Sequence, residues 1–237
     1  MAGIKGSPKR AVLEVIGLTI LALVIGILAG VIFIVPLIIF DYGVEARPVV
    51  IAGLVGAQLG FLIAGYLYIR YRDVPVRIEI PSSSDLAYIG GGLVVALVAA
   101  ISLSYALVWL DLLPGSVIEE MAMTDPTILL ILAGLSVLLV APAEEVLFRG
   151  AIQGRLRVVF SPSLAIITAS LVFGSLHLTN YTGRIGPILA GAVLISVIGA
   201  IFGALYELTD NLTVPIVVHG VYNAILMSIS YLSVIYS

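Results

Sequence analysis

The chain has 237 residues, of which 61% are hydrophobic and only 11% are charged, and its net charge is −3. About 25% of the residues of an ordinary soluble domain are charged, so this composition excludes a water-soluble globular protein and indicates an integral membrane protein. The slightly negative charge argues against nucleic-acid binding. The sequence contains no cysteine, which excludes disulfide bonds and thiolate metal ligands.

Seven stretches of the chain are long and apolar enough, or nearly so, to cross a bilayer as helices, which takes about 20 residues. They cover residues 11–40, 48–69, 86–110, 127–157, 163–179, 185–206 and 212–236. The first stretch is too long for a signal-peptide core and is predicted to be a retained helix that tilts, or that breaks near Pro36. Because every connection is short, the predicted fold is an all-α, polytopic membrane helix bundle with about seven transmembrane helices.

The basic residues indicate how this bundle is oriented in the membrane. They cluster before the first predicted helix, between the second and third, and between the fourth and fifth: Lys5, Lys9, Arg10, Arg70, Arg72, Arg77, Arg155 and Arg157. If seven helices alternate in direction, these clusters lie on one side, which the positive-inside rule assigns to the cytoplasm. We therefore expect an integral protein of the cell membrane, with residues 1–10 as a basic cytoplasmic tail and with an external carboxyl terminus.

Polar side chains interrupt the apolar helices at three places. The fourth segment contains "APAEEVLFRG" at 141–150, the fifth contains "FGSLHLTN" at 173–180, and the seventh contains "VPIVVHGVYN" at 214–223. The polar residues of interest are Glu144, Glu145, Arg149, His177, His219 and Asn223. Ionisable groups inside a membrane are energetically expensive, so these residues are candidates for a functional site.

These residues also have a structural interpretation. Glu145 and Arg149 are four residues apart and could form only an intrahelical ion pair. A helical histidine is often a packing residue, and Asn223 could hydrogen-bond a neighbouring helix. For the small residues Gly199 and Gly203 we prefer the structural interpretation, which is close helix packing.

Counting from the turn between the fourth and fifth helices predicts that the three polar places converge. Ser161 and Pro162 mark this turn. Glu144 lies seventeen residues before Ser161, and His177 lies sixteen residues after it. Equal counts mean equal depth, about 25 Å from the turn, so we expect Glu144 and His177 to be level on neighbouring helices. His219 lies within about one turn of that depth.

Two other groups of charged residues are expected to face water. Arg155 and Arg157 follow the apolar part of the fourth helix and should project into the cytoplasm. Glu119 and Glu120 lie in a loop-like segment on the acidic side, and Thr124 rather than an arginine stands four residues after Glu120. We interpret this second glutamate pair as solvated surface.

The chemistry of the polar residues suits hydrolysis. A carboxylate beside a neutral imidazole, buried but reachable by water, can take a proton from that water. An imidazole and a carboxamide on another helix can donate hydrogen bonds to the oxyanion that forms when water attacks an amide carbonyl. Together these groups predict cleavage of a peptide bond inside the membrane.

Three short motifs also carry a family resemblance. The string "EEVLFR" matches the motif EExxxR, "FGSLH" matches FxxxH, and "HGVYN" matches HxxxN. In this order they resemble the CPBP family of intramembrane endopeptidases, which includes the Rce1-type CAAX prenyl proteases and the bacterial Abi proteins. The resemblance covers roughly residues 127–230. It implies a catalytic transmembrane core at 127–237, preceded by generic N-terminal transmembrane helices at 11–126.

The resemblance implies a role for the residues of all three motifs. Glu144 and His177 would activate the attacking water. His219 and Asn223 would form the oxyanion site. The other two residues of the EExxxR motif, Glu145 and Arg149, would hold the helix and tune the site.

The family has also been described as metalloproteases, and the alternative is a zinc ion bound by Glu144, His177 and His219. We favour a mechanism without a metal or other cofactor, because a carboxylate and an imidazole are sufficient to explain hydrolysis.

Two other functions are compatible with the polar residues. A proton-coupled transporter would also use buried glutamates and histidines, although the first half of the chain has no second copy of the glutamate motif. The other is a catalytically idle scaffold of the same fold.

A protease would have the lipid bilayer and a membrane-anchored peptide or protein as partners. A prenylated carboxyl-terminal peptide is one candidate substrate.

The orientation can be tested by cysteine labelling, since the chain has no cysteine of its own. In sealed cells, a membrane-impermeant thiol reagent should label a Ser237→Cys variant but not a Ser83→Cys variant. After the cells are opened, both variants should react, which controls for burial of the thiol. Labelling of Ser83→Cys from outside would reverse the assignment.

Overall fold

Helices account for most of residues 7–236, which are the residues that this computed structural model describes. The eight helices are α1 Pro8–Ile39, α2 Arg47–Arg72, α3 Ser83–Trp109, α4 Val117–Thr124, α5 Thr127–Arg157, α6 Pro162–Leu176, α7 Ile185–Thr209 and α8 Thr213–Tyr236. Two short strands, β1 Gly115–Ser116 and β2 Tyr181–Thr182, pair antiparallel. All helices except α4 are long and apolar enough to cross a membrane, α6 with the 3₁₀ turn Leu178–Asn180 that follows it. The predicted all-α bundle of seven spans is confirmed.

The helix boundaries lie within three residues of those predicted from hydropathy. The first helix begins at Pro8, where the Ser7 side chain accepts a hydrogen bond from the backbone N–H of Arg10, so part of the expected basic tail is helical. This helix passes Pro36 without a break. Lys5, one of the basic residues on the predicted cytoplasmic side, and the labelling position Ser237 lie outside the described residues.

The second glutamate pair, which was expected in a loop, lies in a helix instead. Ser116 caps α4 by accepting a hydrogen bond from the backbone N–H of Glu119, and this cap allows a short helix to form. Glu119 and Glu120 are exposed, as expected. Glu120 accepts a hydrogen bond from the Thr182 hydroxyl at 2.7 Å, which joins α4 to β2.

The start of α5 is anchored by Asp125. Its carboxylate accepts hydrogen bonds from the Thr127 hydroxyl at 2.6 Å and from Arg47 of α2 at 2.5 Å. The Thr127 hydroxyl and Arg47 lower the pKa of Asp125 and keep it ionised. A negative charge at this position also favours the amino-terminal end of the helix.

Two apolar clusters flank α5 and α7. The first joins α1, α2, α5 and α6 through Val15, Leu18, Ala22, Ala64, Leu147, Phe148, Ala151, Ile152, Leu156, Ala165, Ala169 and Phe173. The second joins α3, α7 and α8 through Ala96, Ala100, Ile198, Phe202, Leu205, Val214, Val218 and Tyr222. Phe173 of the first cluster and Phe202 of the second both contact the Arg149 guanidinium, so the polar residues lie where the two clusters meet.

Arg155 is buried, which corrects the expectation that it faces water. Its side chain is 0% exposed, and its Nε donates to Glu14 of α1 at 2.5 Å. Glu14 also pairs with Arg72 of α2 and with Arg10 at 2.9 Å. Arg157 is partly exposed and pairs with Glu207 of α7 at 2.9 Å. Glu14 therefore neutralises a buried arginine and ties α1, α2 and α5 together on the side of the amino terminus.

We predict that Glu14→Gln strongly destabilises the protein, because it leaves the buried Arg155 without a counter-charge. Breaking a buried pair in this way typically costs about 3–5 kcal/mol. Thermal unfolding in detergent should show a clear loss. The control is Asp111→Asn, which breaks the exposed pair with Arg184 at 2.9 Å and should change stability by less than about 1 kcal/mol. Equal effects of the two variants would contradict the structural role of Glu14.

Candidate active site

The helix that carries the glutamates is locally distorted. Turns of π-helix at Ser136–Val140 and Val146–Gln153 flank the short α-helical stretch Ala141–Glu145. Pro142 has no N–H to continue the ladder, and its ring would clash with the carbonyl of Leu138 in a regular α-helix. The wider π turns accommodate the proline, and such turns often occur at functional sites. They also rotate the parts of α5 before and after Glu144 relative to each other, which changes the directions in which their side chains point.

Glu145 links α5 to α8. Its Oε1 accepts a hydrogen bond from Nδ1–H of His219 at 2.8 Å and lies 3.1 Å from Nη1 of Arg149. Glu145, Arg149 and His219 are at most 3% exposed. The expected Glu145–Arg149 ion pair is therefore present. His219 of α8, which belongs to a different sequence motif, also binds Glu145 and so joins the pair to a second helix.

Glu144 has two differently placed oxygens. Its Oε1 accepts a hydrogen bond from Nε2 of Gln58, on α2, at 2.9 Å. Its Oε2 is buried and has no hydrogen-bond partner among the described residues. Nε2 of His219 is 3.8 Å from this Oε2, which is beyond hydrogen-bond distance. One oxygen of Glu144 is thus fixed by the protein, and the other is free to accept a hydrogen bond.

Aromatic rings enclose the charged groups. The His219 ring stacks on Phe202, with ring centroids 4.8 Å apart, and it forms a T-shaped contact with Phe173, with centroids 6.0 Å apart. The guanidinium of Arg149 lies over the same two phenylalanine rings, at 4.7 Å from Phe173 and 5.6 Å from Phe202. These contacts favour the arginine cation electrostatically and exclude bulk water from the ion pair.

The two glycines assigned to helix packing contact the polar residues of α5. Nη2 of Arg149 donates to the carbonyl oxygen of Gly199 at 2.8 Å, and Nε2 of Gln153 donates to that of Gly203 at 3.0 Å. A Cβ at Gly199 would lie 2.9 Å from the Phe173 ring and 3.2 Å from Arg149. Close packing is confirmed, and it also lets two buried side chains reach the backbone of α7.

His177 does not pair with Glu144, contrary to the expectation from equal depth. Its Nδ1–H donates to the carbonyl oxygen of Phe173 at 2.8 Å, and its ring nitrogens form no ion pair with a carboxylate of the described chain. The Phe173 ring packs against both histidines, with centroids 4.5 Å from His177 and 6.0 Å from His219. The bond to Phe173 leaves Nε2 of a neutral His177 as an acceptor.

Asn223 follows His219 by one turn on the same face of α8. It is half-buried, and its side chain forms no hydrogen bond within the described part of the chain. Its amide can therefore donate to a bound molecule. The structure thus groups Glu144, Glu145 and His219 directly, and it leaves the free donors of Asn223 nearby on α8.

The alternative zinc ligands are not assembled. Within residues 7–236, no group of three or more histidine, aspartate or glutamate side chains is placed to hold a metal ion. Glu144 and His219 approach each other, but His177 is held by its own helix. The arrangement of these three residues does not fit a zinc site, which requires several convergent ligands.

Two buried glutamines were not identified from the sequence. Gln58 contacts Glu144 in the site, whereas Gln153, four positions after Arg149, joins α5 to the Gly203 carbonyl of α7. Both residues are polar groups inside apolar helices, and that criterion alone would have selected them. Gln58 was missed because it lies in the first half of the chain, where no motif was recognised.

Comparison with known proteins identifies the part of the chain that contains the three motifs. Residues 126–225 match the sequence model of a family described as type II CAAX prenyl endopeptidase Rce1-like, which confirms the predicted resemblance. Over 88 residues the chain is 33% identical to "Uncharacterized protein YpbD" of Bacillus subtilis (strain 168). That match covers 37% of this chain and only 40% of the relative. No solved structure matches the chain.

We predict that Gly199→Ala disturbs the site, because the added methyl group would displace Phe173 or the Arg149 guanidinium. Overpacking of this kind typically costs about 1–3 kcal/mol. Gly134→Ala is the matched control, since Gly134 lies on α5 with no atom within 4 Å of its would-be Cβ. Thermal unfolding should show a loss for the first variant only. A neutral effect of Gly199→Ala would contradict the close approach of α5 and α7.

Proposed function

We propose that this protein, whose residues 126–225 match the Rce1-like prenyl endopeptidase family, hydrolyses a peptide bond of a membrane-associated substrate with water activated by Glu144. The family match supports a CAAX-type intramembrane protease in general, and the seven apolar helices support an integral membrane protein. The observation that carries the finer proposal is the buried Oε2 of Glu144, which has no protein partner among the described residues.

Glu144 is the proposed general base. Gln58 holds its Oε1, so the side chain cannot turn freely, while Oε2 can accept a hydrogen bond from water. As the water oxygen attacks the carbonyl carbon, one water proton passes to Glu144 and a tetrahedral oxyanion forms. Return of a proton to the amide nitrogen then allows the C–N bond to break and the amine to leave.

His219 and Asn223 are the proposed donors for the oxyanion. The side-chain amide of Asn223 forms no hydrogen bond with the described residues. Nδ1–H of His219 is already bound to Glu145, so Nε2 donates only when the ring is protonated.

His177 has a supporting role in this proposal. Because its Nδ1–H is held by Phe173, Nε2 is the atom that can exchange a proton with water or with the leaving amine. Because His177 does not contact Glu144, this proton exchange is a different step from the removal of the water proton by Glu144. The proposed mechanism uses no metal ion or other cofactor.

The proposed substrate is a peptide or protein anchored in the membrane. The family description supports a prenylated carboxyl-terminal peptide as the first substrate to test. The clusters of arginines on the amino-terminal side support a cytoplasmic location for that side.

We predict that Glu144→Gln removes cleavage of such peptides while the protein still folds. Loss of a general base typically lowers the rate by about 10²–10⁴. Purified protein should be incubated with prenylated and unprenylated membrane-anchored peptides, and products identified by mass spectrometry. Glu120→Gln, the same substitution at an exposed glutamate, is the control and should leave the rate unchanged. Full activity of Glu144→Gln would exclude this mechanism.

The oxyanion and metal hypotheses make different predictions. In our proposal, Asn223→Ala lowers turnover by about 10²–10³, the typical cost of losing one oxyanion donor. Chelators have little effect, and elemental analysis of active protein finds no stoichiometric metal. One zinc per active chain, lost together with activity in His219→Ala, would instead identify a metalloprotease.

A further inference from the structure

Gln58 is the one residue of the described first 125 that hydrogen-bonds to the motif residues. It lies on α2, outside the part of the chain that matches the protease family, and is 6% exposed. Its Nε2 donates to Oε1 of Glu144 at 2.9 Å. Seven residues later on the same face of α2, a Cβ at Gly65 would lie 2.9 Å from the Cα of Leu147, so α2 packs directly on the backbone of α5.

The hydrogen bond leaves two buried acceptors unsatisfied. Oε1 of Gln58 and Oε2 of Glu144 are both buried, and neither has a partner among the residues that the structure describes. They are the remaining oxygens of two planar groups that are already joined by one hydrogen bond. The amide oxygen of Gln58 and a carboxylate oxygen of Glu144 only accept hydrogen bonds, so a partner shared by the two must be a donor. Buried acceptors of this kind are usually satisfied by an ordered water.

We propose that Gln58 is a positioning residue, and that Gln58 Oε1 and Glu144 Oε2 together bind the water that the site uses. One water hydrogen is donated to each oxygen, which directs the lone pairs of the water oxygen away from both. The catalytic part of this inference rests on the proposed function.

The arrangement also decides which proton moves. The amide oxygen of Gln58 is a far weaker base than the carboxylate of Glu144. When the water oxygen bonds to a carbonyl carbon, the O–H bond that points to Glu144 breaks and its proton is held by that carboxylate. The other O–H bond stays intact and remains hydrogen-bonded to Gln58. Gln58 thus orients the nucleophile without itself reacting.

The competing explanation is that Gln58 only joins two helices, as amide side chains often do in membrane proteins. Gln153 provides a matched control for that role. It is 0% exposed, its Nε2 donates across helices to the Gly203 carbonyl oxygen at 3.0 Å, and its Oε1 is likewise buried without a partner in the described chain. Gln153 lies about two turns beyond Glu145, and the hydrogen bond of its side chain goes to Gly203 rather than to Glu144.

Infrared spectroscopy tests the water site without relying on activity. Full-length protein in lipid nanodiscs should show a buried-water stretching band that shifts in water labelled with the heavy oxygen isotope. The carboxylate band of Glu144 is identified by its loss in Glu144→Gln. In Gln58→Met, which keeps the side-chain length but removes both hydrogen bonds, the water band should disappear and the Glu144 band should move. Both should persist in Gln153→Met. Bands that are unchanged in Gln58→Met would overturn the proposal.

Kinetics tests the positioning role. In Gln58→Met, kcat should fall by roughly 10²-fold, the typical cost of misplacing a reacting group by about 1 Å, with little change in KM. Gln153→Met should retain kcat within about twofold. Equal losses of kcat in the two variants would overturn the positioning role and indicate that Gln58 only joins two helices. If wild-type protein cleaves no peptide, the proposed function fails, while the infrared result still decides whether the water site exists.

Discussion

Charge buried inside the bundle is the constraint on which the rest of this structure depends. Glu144, Glu145 and Arg149 lie on a helix long and apolar enough to span the membrane, and each is at most 5% exposed. Charges in such a place persist only if partners neutralise them or satisfy their hydrogen bonds. The partners come from three other helices, through Gln58 of α2, the Gly199 carbonyl of α7 and His219 of α8. Closing these helices around α5 is therefore a condition for folding and, at the same time, assembles the candidate site.

The close approach of those helices requires small residues at the contact points. Added methyl groups at Gly65 of α2 and Gly220 of α8 would lie 2.9 Å and 3.0 Å from Cα atoms of α5, and Gly199 of α7 faces Arg149. Lipid tails are as apolar as the helices, so packing and hydrogen bonds, rather than hydrophobicity, hold such helices together. The glycines that permit packing and the polar side chains that reach across it form one structural unit.

The differences from the sequence-based predictions have a common physical cause. Counting residues gives the depth of Glu144 and His177 along their helices, but not the direction in which each side chain points. The π turns around Pro142 rotate α5 relative to a regular helix, and His177 bonds its own backbone at the end of α6. Similarly, the distribution of arginines predicts which side of the membrane Arg155 is on, whereas its burial depends on Glu14 from a helix distant in sequence.

By itself, the sequence determined the membrane class, the seven helices to within three residues, and the six candidate residues, because helix length, hydropathy and motif spacing are local properties of the chain. It also determined the Glu145–Arg149 pair, since residues four apart share a helix face. Only the tertiary structure decided that His219 binds Glu145, that Gln58 fixes one oxygen of Glu144 and that the other oxygen is unpaired among the described residues. These contacts join residues 74 and 86 positions apart, and their geometry depends on the rotation and separation of whole helices.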